Sequence, residues 1–126
     1  MTDRATWLAL AERCRTLSGV DDERQVGIEI LKALGWAYRD SAWHDANRAW
    51  VSPFFAPATS LDAITALVER EFGQLHAYRP VSQVAGLSDI TLYRGMIWTP
   101  EVYADAATPA IALCAAFCTA KAETAG

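Results

Sequence analysis

The chain has 126 residues, 52% hydrophobic and 21% charged, with a formal net charge of −4. This is globular rather than disordered material, and one domain of this length buries roughly two thirds of the surface its unfolded chain exposes. The eleven Lys and Arg are scattered singly in an acidic background. That pattern argues against a nucleic-acid or anionic-membrane surface, where clustered cations must meet phosphates.

Three cysteines are an odd number and no disulfide framework. Cys114 and Cys118 would share one helix face, in poor geometry for a mutual disulfide. The first residues, MTDRATWLALAERC, contain acids and no long apolar run, so they read as neither signal peptide nor anchor. No stretch approaches the about 18 apolar residues of a membrane span. The expectation is a protein of a reducing cytoplasm, with no membrane partner.

In chain order, residues 2–17 read as a first helix. Trp7, Ala11, Cys14 and Leu17 recur at spacings of four, three and three, which makes one apolar stripe. Ser18-Gly19 breaks it, and Ser18 with Asp21 forms a loose capping box. Asp21, Asp22 and Glu23 crowd the first turn of a second helix over 21–34, striped by Val26, Ile30 and Leu34 and ended by Gly35. The short connection predicts an antiparallel pair.

Residues 36–59 form an irregular segment, with short strands at 36–38 and 49–51 around a polar stretch at 40–47. Ser60 caps a third helix, SLDAITALVEREF, whose apolar face is Leu61, Ile64, Leu67, Val68 and Phe72. From Gln74 the period becomes two. Strands are expected at 74–79, 89–94 and 96–99, with a loop at 80–88, a turn or bulge at Gly95 and a last short strand at 102–103. The strongest helix signal follows. Thr108 is the N-cap and Pro109 the first helical residue, and Ile111, Leu113, Cys114, Phe117 and Cys118 make the helix apolar nearly all round. Such a helix must be covered on most sides.

These elements predict an α+β protein of one domain, residues 1–126. It comprises an N-terminal helix pair (1–35), the irregular segment (36–59) and an α-β-β-β-α core (60–122). In the core, a three- or four-stranded, mainly antiparallel sheet carries the helices 60–72 and 107–121. The order is α-α-β-α-β-β-β-α.

No Gly-rich phosphate loop, nucleophile elbow or zinc-protease pair is present. His44-Asp45 is the most suggestive polar pair, but adjacent loop residues rarely reach acid–base geometry, and a solvated loop is the plainer reading. Cys114 and Cys118 supply half a zinc site at best, and Cys14, His44 and His76 fall in no zinc spacing, so core packing is the plainer reading there too. Glu69, Arg70 and Glu71 read as a solvated face. No cofactor is implied.

Trp36, Trp43 and Trp50 recur every seven residues. Core capping is the reading for Trp36 and Trp50. Trp43 is left between core and interface, and is expected to be exposed if the protein works by binding. Aromatics and Arg are the types enriched in interface hot spots, so the candidate binding residues are Trp43, His44, Arg48 and Arg39.

Two resemblances follow. Residues 60–63 (SLDA) open a helix after a Pro-containing extended segment, and residues 107–116 (ATPAIALCAA) open the last helix after three strand-like segments. With the helix–turn–helix at 8–34, this resembles small proteins of tailed phages and prophages carrying the phage ABA-sandwich domain. That resemblance implies a fold and an origin, and no catalytic residues. Residues 36–52 depart most from it. The core order is also similar to double-stranded-RNA-binding domains, which place lysines at the start of the last helix. Here that place holds Thr108-Pro109-Ala110-Ile111, so the similarity implies shape without RNA binding.

The function expected is therefore that of a non-enzymatic phage or prophage accessory protein that binds a host or phage protein, or also a second copy of itself. Interference with a bacterial defence system is one version. The alternative is a small-molecule binder that sequesters a nucleotide signal in a tryptophan-lined pocket, with Arg39, Arg48, Arg79 and Arg94 as cations. A hydrolytic enzyme ranks third.

Overall fold

The computed structural model describes residues 2–17, 20–73, 76–85, 88–98 and 100–125. It is α+β. The elements are α1 (Arg4–Arg15), α2 (Val20–Ala33), β1 (Ala37–Arg39), β2 (Ala42–His44), β3 (Trp50–Ser52), α3 (Leu61–Phe72), β4 (His76–Ala85), β5 (Ser88–Trp98), β6 (Glu101–Ala106) and α4 (Pro109–Thr124). Two three-stranded antiparallel sheets form, β1-β2-β3 and β4-β5-β6.

The helix starts are set by side chains that satisfy free backbone donors. The N–H of Thr6 donates to Asp3 Oδ1 at 2.9 Å, that of Ala63 to Ser60 Oγ at 3.2 Å and that of Ile111 to Thr108 Oγ1 at 3.2 Å. The bonds from Thr6 hold the Asp3 carboxyl below its usual range. Gly35, past the end of α2, has φ +86°, the left-handed conformation that a helix stop takes and that glycine adopts without strain.

α1 and α2 are antiparallel. The Thr2 hydroxyl donates to the Ala33 carbonyl at one end, and Arg13 pairs with Asp22 at 3.1 Å and with Glu29 toward the other. The expected capping box at Ser18 lies outside the described residues.

α4 is the middle layer. Sheet β4-β5-β6 covers one side of it and α1 another, with α3 packed alongside. Ile111, Leu113, Cys114 and Phe117 are all at or below 2% exposure, so the covering demanded by its apolar circumference is met. Phe117 sits at the aromatic centre, edge-on to Trp7 at 6.1 Å and to Phe72 at 5.6 Å.

Gly95 is neither turn nor bulge. It lies inside β5, paired with Tyr78 and Ala104 on either side. A Cβ there would stand 2.5 Å from the Ala112 carbonyl oxygen and 2.7 Å from Leu113 N, so glycine is what lets α4 lie directly on the sheet. β5 consequently runs unbroken where two strands were expected.

The expected loop at 80–88 is also corrected. β4 continues through Pro80 to Ala85, and β5 begins at Ser88, in register over the whole length. β4 is an edge strand, the place in a sheet where proline is tolerated. β6 pairs only with residues 93–98 of β5, so residues 81–85 and 88–92 extend past it as a two-stranded ribbon. The other addition is β2, at residues expected to be irregular.

Two substitutions test this packing. Gly95→Ala should destabilise by about 1–3 kcal/mol, the range for overpacking a tight contact. Phe117→Ala should cost about 3–5 kcal/mol. Urea unfolding of each variant measures both.

Candidate binding surface

Residues 36–52 form a tight meander with strict turn chemistry. Arg39 pairs with Ala42, so Asp40 and Ser41 make a two-residue turn, with φ +52° and +63°. Positive φ at both positions is what a type I′ hairpin requires, and Asp is among the residues that tolerate it. The second connection is organised by Asp45. Its Oδ1 accepts from the N–H of Asn47 at 2.9 Å and of Ala49 at 3.0 Å, while its own N–H donates to the Ala49 carbonyl at 2.9 Å. Arg48 takes φ +66° in this loop.

Asp45 also anchors the meander to the body. Its Oδ2 accepts from Arg70 Nη2 at 3.0 Å, and the Arg70 guanidinium lies 5.1 Å from the centre of the Trp36 ring. The solvated-face reading of Glu69, Arg70 and Glu71 is therefore corrected at Arg70, whose carboxylate partner lies 25 residues away. A run of charges in the sequence carries no signal of such a distant acceptor.

The His44-Asp45 pair is not assembled for acid–base work. His44 Nδ1 lies 3.2 Å from the Ala42 carbonyl, and none of the Asp45 hydrogen bonds above goes to His44. Asp45 is a turn organiser with its acceptors occupied.

The tryptophans sort differently from expectation. Trp36 is buried, as expected, against Phe55. Trp43 is buried too, at 7% exposure, and its exposure as a binding residue is overturned. It lies in the middle strand, flanked on one side by Tyr38, whose ring meets it edge-on at 5.5 Å, and on the other by Ser52. Trp50, expected in the core, is 64% exposed on the edge strand β3, opposite half-buried His44. A spacing of seven cannot decide this, because strand alternation has period two and the ladder shifts register between Trp43 and His44. Arg39 and Arg48 are exposed as expected. Around them Tyr38 is 55% exposed and Phe54 90%. The meander thus offers Tyr38, Arg39, Arg48 and Trp50 to solvent, and Phe54 follows just after its last strand.

The cysteines converge in the core. Cys14 on α1 meets Cys118 on α4 in a thiol hydrogen bond, and Cys114 Sγ donates to the Pro57 carbonyl at 3.3 Å. Burial pushes the Cys114 and Cys118 thiols up, so both stay protonated. Among the described residues no group of three or more His, Cys, Asp or Glu is placed to hold a metal ion.

A cleft of about 810 Å³ opens where the ends of the helices meet, and its lining includes Asp3, Trp7, Lys32, Glu71 and Lys121. Trp7 is the one tryptophan in its lining, and Arg39, Arg48 and Arg94 all lie elsewhere. The side chain of Arg79 lies outside the described residues. Lys32 and Lys121 occupy the last turns of α2 and α4, where helix dipoles favour cations, and Lys121 pairs with Glu71 at 3.7 Å. Among the described residues no helix is long and apolar enough to cross a membrane.

Trp43→Ala should cost about 3–5 kcal/mol of stability, as removing a buried aromatic does. Urea unfolding read by far-UV circular dichroism measures this.

Comparison with family models, with curated protein sequences and with solved structures finds no match for this chain, so what it does has to be inferred from its own chemistry.

Proposed function

We propose that the protein is a non-enzymatic binding protein whose partner is another protein, engaged through the meander. The observation that carries this reading is the exposure of Trp50 and Phe54, 64% and 90%, on a scaffold held rigid by the Asp45 loop and by Arg70. Large aromatics cost little conformational entropy when they are immobilised at an interface, and together with Arg they dominate binding energy there. Tyr38, Arg39 and Arg48 extend the same composition. The acidic net charge directs the proposal toward a protein partner rather than nucleic acid.

The resemblance to phage ABA-sandwich proteins adds a context: an accessory protein of a phage or prophage, acting in the bacterial cytoplasm on a host or phage protein. Inhibition of a defence system is one form this would take.

The alternative is a nucleotide-sequestering protein, and it has less support. The cleft described above is lined by the C-terminal ends of α2, α3 and α4, whose carbonyls repel an anion and whose Lys32 and Lys121 already balance those ends, and at the start of α1 the Asp3 carboxylate already occupies the cap. A thermal shift with nucleotides, lost in Lys32→Ala, would favour this alternative over the first reading.

Affinity capture from a bacterial host, followed by measurement with the isolated partner, tests the main proposal. Trp50→Ala and Phe54→Ala should each weaken binding by about 2 kcal/mol, roughly 30-fold, as hot-spot truncations do. Each should leave the unfolding midpoint nearly unchanged. Capture of no partner across several hosts, or equal binding by both variants, would overturn it.

A further inference from the structure

The sheet β4-β5-β6 has one covered face and one open face. Ile97, Ala104 and Ala106 are at or below 4% exposure, and with Gly95 they lie against α4. The alternate positions form the other face. Across β5 and β6 these are Arg94 opposite Asp105, Met96 opposite Tyr103, and Trp98 opposite Glu101.

An antiparallel sheet with one wet face ordinarily alternates apolar inside with polar outside. This one does not. Trp98 is 48% exposed, Tyr103 is 62% exposed, and Met96 lies between them, half-buried. The Arg94 guanidinium sits 4.6 Å from the Tyr103 ring centre and is held there by Asp105, through Nε at 2.7 Å and Nη2 at 3.1 Å. Those bonds keep Arg94 charged and fixed. Trp, Tyr, Met and Arg are the residue types enriched at the centres of interfaces.

We propose that this open face is the two-fold interface of a homodimer. Charge placement selects a second copy as the occupant. Arg94, ion-paired to Asp105, lies at one end of the face, exposed Glu101 lies at the other, and Met96 and Tyr103 lie between, so that in a second copy Arg94 would bridge Asp105 of its own chain and Glu101 of the other. Two copies stacked face to face with antiparallel strands bring Arg94 of each onto Glu101 and Trp98 of the other, while Met96 and Tyr103 meet at the axis. Asp105 occupies Nε and Nη2, which leaves the Nη1 donors for that contact. An isologous interface needs this kind of self-complementarity.

The ribbon of residues 81–85 and 88–92 lengthens the same layer beyond β6.

The inference stands on this sheet, independently of the meander, so failure of partner binding by Trp50 and Phe54 leaves it intact, and the reverse. Sedimentation of the full chain over a dilution series tests it. The expected mass is twice 13.8 kDa. Trp98→Glu and Glu101→Arg should each weaken dimerisation roughly tenfold or more, with the circular dichroism spectrum unchanged. Arg94→Glu should do the same, and an equal mixture of Arg94→Glu and Glu101→Arg chains should recover a heterodimer, because both cross-pairs are then attractive, one with its sign reversed and one as in the wild type. Should Arg94→Glu fail to fold beside Asp105, Trp98→Glu and Glu101→Arg decide the matter alone. A wild-type chain that is monomeric at every dilution overturns the proposal, and so does a dimer indifferent to both of those changes. Two folded, complementary charge variants that do not recover a heterodimer overturn it as well.

Discussion

The contact between Gly95 and the backbone of Ala112 is the constraint on which the arrangement depends. Packed layers normally stand well apart, about 10 Å for two stacked sheets, because side chains fill the space between them. Here one glycine removes that spacer, and the helix backbone comes down onto β5. With its first turns so close to the sheet, α4 presents its remaining circumference to α1 and α3 and becomes the buried axis of the protein. Its alanines and cysteines suit that place, since small side chains on all sides let neighbouring elements approach closely.

The same closeness separates the two regions with outward-facing aromatics. On the α4 side of the sheet, Ile97, Ala104 and Ala106 complete the core, and strand alternation then obliges Met96, Trp98 and Tyr103 to face the other way. The meander is held by different means. It joins the body through Trp36, Trp43 and the polar link from Asp45 to Arg70, so its edge residue Trp50 and the following Phe54 remain outside. One region is thus an extended flat layer bearing both signs of charge, and the other is a small hairpin platform.

The buried thiols illustrate how packing disposes of chemistry. Cys14, Cys114 and Cys118 are brought together by the contact of α1 with α4, yet they lie in an apolar layer that disfavours thiolates. Their meeting adds packing and weak hydrogen bonds to the core. Asp45 shows the same for a carboxylate: two backbone donors and a guanidinium occupy it, and the adjacent His44 turns instead to the Ala42 carbonyl.

The sequence by itself determined the four helices, their caps at Ser60 and Thr108, the stop at Gly35, and the need to bury α4, because these rest on short-range periodicity and on hydrogen bonds within a few residues. It also determined the α+β class, through the change to period two after α3. Only the tertiary structure decided the meander's middle strand, since three-residue strands hold too few alternations to register. It alone decided that Trp43 is inside and Trp50 outside, since a one-residue register shift reverses a strand's faces. It decided that Gly95 is a point of close approach rather than a turn, and that Arg70 reaches Asp45. In each of these cases the deciding contact joins residues distant in sequence, and no local pattern encodes which distant neighbour will arrive.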